Sequence, residues 1–346
     1  MKYLIKHTIL FILLSIIFSS CVKYVDLEHL RPDPKLVLNC VAQTGMPLTA
    51  TVSRTWFYTD ENPNITIEDA KISLYVNGQY REDMTWHVEE SEYNSAAYYK
   101  ASYIPSDGDK IRLEVEKDGF KDISAECVLP VKPELLKLEV VREKDTGSYG
   151  YYSYRTVYRT TLKDKQQEGD CYLVRVMFGS PDMEYDEESG ERVFTGTYYW
   201  SSNHIDYSYE PVFKNKISVL DELFGNDWLS GYGGRPFSDE LINGQEYTLK
   251  LAGYSYGSSY PPEGYPEENP NGDPPSYVKV YLYTLSESYY QYLMALAELN
   301  DLSLNNDLVD AGLAEPIRVL SNVVGGTGIL GAASVDTLTV EVPYGY

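Results

Sequence analysis

From Lys35 to Leu129 the chain reads as short segments in which apolar and polar residues alternate. The stretch 110–116 is the clearest. Ile111, Leu113 and Val115 point one way and Arg112, Glu114 and Glu116 the other, the period of a half-buried strand. Segments 35–41, 48–55, 70–76, 98–104 and 123–129 are further strands on the same grounds. Asn77-Gly78 and Asp118-Gly119 stand between segments as hairpin turn signals, because tight hairpin turns need residues that tolerate positive φ. This spacing predicts an antiparallel sandwich, of immunoglobulin or fibronectin kind, over 35–130. Pro130 and Pro133 then interrupt pairing and mark a domain boundary.

Beyond that boundary, 135–141, 151–162, 171–178, 245–252 and 277–285 read as strands. One helix is predicted over about 287–300. Ser286 is placed to cap it, Glu287 lies in its first turn, and Tyr289, Leu293, Leu296 and Leu299 recur at helical spacing. A strand over 317–324, a turn rich in glycine (Gly325, Gly326, Gly328, Gly331) and a last strand over 337–342 complete the pattern. The expected fold is mostly β: two tandem β-sandwich-like domains, 35–130 and 131–346, with one helix in the second.

The first residues follow another pattern. Lys2 and Lys6 precede an apolar run over 9–18, and Ser19 and Ser20 stand directly before Cys21. A run this short ending in small residues predicts a signal peptide over 1–20, too short to span a bilayer. Phe18 takes the place where Leu is commoner. A cysteine at the first mature position predicts lipidation at Cys21, since several acyl chains anchor a protein far more firmly than one. Residues 21–34, acidic and without periodicity, read as a short tether.

Charge narrows the function. The chain has 346 residues and a net charge of −23, with 52 acidic and 29 basic side chains. Loss of Lys2 and Lys6 would make the mature chain more acidic still. No basic stripe occurs, so nucleic-acid binding is excluded, and attraction to an anionic membrane cannot replace the lipid. Tyrosine is the compositional outlier, with 34 residues against 9 phenylalanines. It suits half-buried sheet faces and wet binding surfaces alike. Tyr198, Tyr199 and Trp200 fall in a loop-like stretch and are the candidate ligand-contacting residues, with 203–209 beside them; edge packing of a sandwich is the competing reading.

No catalytic set emerges. His29, His87 and His204 are the only histidines after Cys21, and no H-E-x-x-H pair is present. Carboxylate catalysis cannot be read from the sequence, because such a pair is recognised by its separation in space. The run 182–191 spaces oxygen ligands as a calcium loop would, but its glycine is late and its closing glutamate is out of register, so a hairpin tip is expected. Cys40, Cys127 and Cys171 have no metal-binding spacing; a Cys40–Cys127 bridge and buried free thiols both remain open. No cofactor or metal is expected.

Three segments carry a family resemblance: Phe237-Ser-Asp-Glu-Leu-Ile-Asn-Gly-Gln-Glu-Tyr-Thr-Leu, Tyr289-Tyr-Gln-Tyr-Leu-Met-Ala-Leu, and Pro316-Ile-Arg-Val-Leu-Ser-Asn-Val-Val-Gly-Gly-Thr-Gly-Ile-Leu-Gly-Ala. With the Cys21 start and the Pro34-Lys-Leu-Val-Leu opening, the chain resembles the DUF4249 family of Bacteroidetes outer-membrane lipoproteins. The resemblance implies a setting beside TonB-dependent transporters and supplies no catalytic residues. Acidic residues soon after the lipidated cysteine resemble a signal for surface display in that group. Here Asp26 and Glu28 stand behind Lys23, a partial match that favours the outer face over the periplasmic one. The expected function is a non-catalytic binding or docking component of a nutrient uptake system, with a small molecule, glycan or peptide as ligand. The alternatives are a surface hydrolase acting on glycan or peptide and a structural or adhesion protein.

Overall fold

A computed structural model describes residues 28–57, 59–61, 63–90, 95–146, 152–166, 169–186, 190–202, 205–207, 210–213, 234–253, 274–300 and 318–342. Cys21, the export segment, and the whole tyrosine-bearing stretch 254–273 lie outside the described residues. The chain divides into a small unit, made of the N-terminal stretch to Pro34 with the 56–64 loop, and a large compact unit holding the rest. In the small unit, Glu28–Leu30 forms a single 3-10 turn. Arg31 bonds Glu28 at 2.8 Å and Asp60 at 2.7 Å and lies over the Phe57 ring.

The large unit is built on a nine-stranded sheet. Its main path runs β12 (Arg192–Ser202), β11 (Cys171–Tyr185), β16 (Ser276–Leu285), β17 (Thr327–Val342), β1 (Leu36–Gln43), β2 (Thr49–Arg54), β6 (Ser95–Lys100) and β5 (Thr85–Glu90), and β14 (Arg235–Ser238) also pairs with β11. Two four-stranded sheets accompany it. One orders β4 (Gln79–Asp83), β3 (Lys71–Val76), β7 (Lys110–Glu116) and β8 (Ile123–Val128). The other orders β13 (Ile205–Asp206), β15 (Glu246–Gly253), β10 (Tyr152–Lys163) and β9 (Glu134–Thr146). The protein is thus mostly β and sandwich-like, and α1 (Glu287–Asn300) is the one α-helix among the described residues.

Alternation decides what each strand buries. Leu36, Leu38, Cys40 and Ala42 of β1 meet Ile72, Leu74, Ile111, Leu113 and Val115 in the first core. Each fully buried Leu or Ile contributes roughly 1.5–3 kcal/mol. A second core joins Tyr172, Val174 and Val176 of β11 and Val278, Val280 and Leu282 of β16 to Tyr158, Leu162, Leu249 and Leu251. Cys40, Cys127 and Cys171 are free, buried thiols; burial pushes Cys127 up to about 12 and Cys40 higher still.

β17 serves both cores. Its even-numbered side chains share one face. Leu330 and Ala332 enter the first core, while Leu338, Val340 and Val342 enter or border the second. Between them, Ser334 and Asp336 meet the linker at Pro130–Pro133. The Ser334 hydroxyl lies 2.6 Å from the Pro130 carbonyl and 3.0 Å from Asp107 Oδ1. Asp336 accepts the Leu135 N–H at 2.9 Å and pairs with Lys132 Nζ at 2.9 Å. The sheet therefore continues across the position where the sequence places its domain boundary.

Several local expectations change in tertiary context. The glycine-rich stretch from Thr327 is extended strand, pairing in parallel with β1, in place of a turn. Residues 318–323 form no strand, and Val324 makes only a bridge to Ser124. Here the Asn322 carboxamide bonds both the N–H and the carbonyl of Leu330, each at 2.9 Å, as a neighbouring strand would. Helix α1 begins just after Ser286, but the Ser286 hydroxyl accepts the Ala332 N–H at 3.1 Å, tying helix to sheet.

Candidate functional site

The second half of the large sheet has one face in the second core; helix α1 covers the other face at one end, where Tyr290 and Leu293 pack with Cys171, Leu285 and Tyr283, and the rest of that face turns away. The sequence Tyr277-Val-Lys-Val-Tyr-Leu-Tyr alternates strictly, so burying Val278, Val280 and Leu282 turns Tyr277, Lys279, Tyr281 and Tyr283 outward. On β11, Arg175, Met177 and Gly179 share that outer face; Met177 and Gly179 pair across to Lys279 and Tyr277, and Arg175 to Tyr281. On β12, Trp200 stands opposite Gly179 and Tyr198 opposite Pro181. Three strands thereby align Phe194, Tyr198, Trp200, Tyr277, Tyr281 and Tyr283 into one aromatic surface.

Its geometry is closely packed. A Cβ on Gly179 would lie 2.9 Å from the Trp200 ring, so the indole rests flat on backbone that only glycine leaves open. Lys279 Nζ stands 4.6 Å from the Trp200 centroid and 5.9 Å from that of Tyr281, within cation–π range. Tyr281 and Tyr283 stack nearly parallel with centroids 6.2 Å apart. Tyr198 meets Tyr277 and Phe194 edge-on. Burial raises the Tyr283 hydroxyl above its usual range, against the opposing charge and hydrogen bond of Arg175. Arg175 bonds Tyr283 and reaches Ser202 at 3.4 Å, and its Nε is buried without a hydrogen-bond partner. Exposed Thr337, Thr339 and Glu341 of β17 border the surface. The arrangement can stack flat apolar rings and bond polar or anionic substituents.

Of the three residues expected to contact ligand, Tyr198 and Trp200 lie together on this face. Tyr199 points to the opposite side of β12 and is 70% exposed. The stretch is strand, not loop. Within 203–209, Tyr207 is buried against Phe213 in the second core. His87 is an exposed residue of β5, bonded to Thr85 and stacked on Tyr98, and His29 sits in the 3-10 turn. His204 lies outside the described residues. Of the acidic run 182–191, residues 182–185 belong to β11, Asp186 bonds Gly190 and Glu191 ahead of β12, and 187–189 lie outside the described residues. Sequence reasoning missed Arg175, Lys279, Tyr281 and Tyr283, although the period-two alternation of 277–283 was the signal that could have found them.

A second constellation is electrostatic. Ligand oxygens of Asp164, Asp170 and Asp239 lie within 4.8 Å of one another, the spacing at which carboxylates can hold a hard cation. Two of the three are already engaged. Asp164 accepts the Tyr172 hydroxyl at 2.5 Å and the Gly244 N–H at 2.7 Å, and Asp239 accepts the Gly169 N–H at 3.0 Å. These acids clamp the loops that lead into β11 and β15. Asp170 bears the consequence: burial, then the charges of Asp164 and Asp239, hold its carboxyl above the usual range, with Lys165 in opposition. A raised folded value means that folding stability falls as pH rises from the unfolded value, near 4, through the folded one. Asp170→Asn should therefore stabilise the protein above that window by up to about 1 kcal/mol, since solvent screens a half-exposed group, and should be neutral below it. Urea unfolding at pH 3.5 and pH 7.5 reads this directly; destabilisation at pH 7.5 would show that the carboxylate is required there.

The fold and the outer surface define a mostly-β protein with an aromatic sheet face bearing two cations. The family described as "Domain of unknown function (DUF4249)" matches residues 23–339, and the chain belongs to that family. No curated protein matches the chain. Among the described residues no helix is long and apolar enough to cross a membrane.

Proposed function

We propose that this is a lipid-anchored outer-membrane protein that acts without catalysis, as an accessory binding or docking component of a TonB-dependent nutrient uptake system. The observation that carries the binding role is the contiguous aromatic face, where Trp200, Tyr281 and Lys279 form one packed surface. Scattered exposed apolar residues are normal on any protein, whereas a contiguous patch marks an interaction site. The anchoring role is supported by the segment 1–20 and Cys21. Display on the outer face is part of the same proposal. A hydrolytic role has less support, because the buried acids Asp164 and Asp239 are occupied by Tyr172 and backbone amides.

Affinity purification from detergent-solubilised outer membranes, followed by mass spectrometry, tests the docking role. Stoichiometric recovery of a TonB-dependent transporter is expected, and recovery of the protein alone would remove that role. Cys21→Ala tests the anchor separately. The variant should lose acylation and leave the membrane fraction entirely, because several buried acyl chains at roughly 0.8 kcal/mol per methylene are lost together. A variant that still partitions with detergent-phase membranes would refute lipidation at this position.

A further inference from the structure

We propose that the outer face of β11, β12 and β16 binds an acidic saccharide, its sugar ring stacked on Trp200 and Tyr281 and its carboxylate held by Arg175 and Lys279. This rests on the binding role proposed above and gives that role a substrate class.

The argument begins with charge. The protein carries 23 more acidic than basic side chains, and its cations are commonly matched to carboxylates: Lys110 to Glu126, Lys117 to Asp69, Lys132 to Asp336, Arg159 to Glu143. Arg175 and Lys279 break that habit. They lie on neighbouring strands of one face, diagonal to each other in register, and among the described residues neither forms an ion pair. Glu341, across from Tyr277 at the rim, makes none with Lys279. Lys279 rests against two rings instead. Arg175 bonds Tyr283 and has a weak contact to Ser202, with no carboxylate partner among the described residues. The buried Nε is closed to a ligand, and the Nη2 end, held by Ser202 only at 3.4 Å, is the part of the guanidinium that can bond a carboxylate.

The surroundings select a saccharide over a peptide. β11 and β16 are paired on both sides and offer no backbone for strand addition, the usual source of peptide affinity; β12 is the edge strand, but a peptide added along that edge would not cover the rings, which stand on the sheet face. It offers flat rings, which suit the C–H faces of a pyranose, and hydroxyls of Tyr281, Tyr283, Ser202, Thr337 and Thr339, which suit its hydroxyl rim. Trp200 is held by its seat on Gly179, so little ordering is required on binding.

The test is calorimetric titration of the soluble chain with α-1,4-linked trigalacturonate, the neutral α-1,4-linked galactotriose, and a short poly-glutamate peptide. Trigalacturonate should bind, weaken with added salt, and exceed the neutral trisaccharide by at least about tenfold. Lys279→Gln and Trp200→Ala should each lose at least about tenfold. Lys279 is a half-exposed surface residue, so its variant keeps the test valid if Trp200→Ala fails to fold, which circular dichroism would reveal. No binding of trigalacturonate, equal binding of the neutral sugar, equal or tighter binding of poly-glutamate, or full affinity in Lys279→Gln would each overturn the proposal. The transporter pull-down is independent. A recovered transporter with no saccharide binding sinks this inference alone, and saccharide binding without a transporter sinks the docking role alone.

Discussion

Gly328→Ala should destabilise the protein by about 4 kcal/mol or more, combining backbone strain with overpacking. Gly328 has φ +109, a conformation that side-chain-bearing residues rarely adopt, and an added Cβ would lie 2.0 Å from the Leu38 carbonyl oxygen. That oxygen belongs to β1, the parallel partner of β17 from Thr327 to Ala333. Relief requires the two strands to separate at the join where Leu38 and Leu330 are both fully buried. Against a typical total of 5–15 kcal/mol, such a loss leaves little folded protein at growth temperature. Gly119→Ala is the control, since its φ is +85 with nothing near the added carbon; it should cost only about 1 kcal/mol. Urea unfolding of both variants decides the matter, and equal losses would mean that the close approach to β1 contributes nothing.

Asp336→Ala should cost about 2–3 kcal/mol, because it strands the Leu135 N–H and removes a charged partner from Lys132. Burial tends to raise the Asp336 carboxyl, but the bonds from Lys132, Leu135 and Thr337 outweigh it and hold the group below the usual carboxylate range. A lowered folded value means that the unfolded chain takes up the proton first. The contribution is therefore complete above the unfolded value, near 4, and is lost as pH falls through the folded one. Stability of the parent should decline across that acid window more steeply than that of Asp336→Ala. Lys132→Ala, which removes only an ion pair whose lysine is 55% exposed, should cost less than about 1 kcal/mol. If the two variants unfold alike, the Leu135 bond carries no weight and Asp336 acts only as a surface charge.

The fold was legible where burial follows local period. Residues 110–116 form β7 with the expected residues inward, Asn77 and Gly78 make the tight β3–β4 turn with φ of 51 and 80, and the 287–300 helix is present. It was illegible where a long-range partner overrides local preference. Gly325 and Gly326 turn the chain as expected, yet Gly328 and Gly331, which signal a turn in isolation, are drawn into a strand beside Leu38 and Val41, nearly three hundred residues earlier. Residues 198–200 lack clean alternation and read as loop, but pairing with β11 makes them edge strand. The apolar stretch before Gly325 looks like a strand, and its place beside Leu330 is taken by the Asn322 side chain instead.

The candidate site divides in the same way. Trp200 and Tyr198 were visible as aromatic residues in a polar neighbourhood, and Lys279 was only one lysine in an alternating strand. Nothing local places Arg175, Trp200 and Lys279 on one face, because they come from three strands whose register is set by core burial on the other side.

By itself, the sequence determined the mostly-β class, the acidity, the expectations of an export and lipidation signal at Cys21 and of no nucleic-acid partner, and the position of the single described helix. These follow from composition and from periods of two and 3.6 residues, which act within a few positions along the chain. Only the tertiary structure decided that β17 joins both cores through one face, that Asp164, Asp170 and Asp239 converge out of 52 acids, and that six rings and two cations share a surface. Those are consequences of strand order and register, and both are fixed by pairings between residues far apart in the chain, where no local pattern reaches.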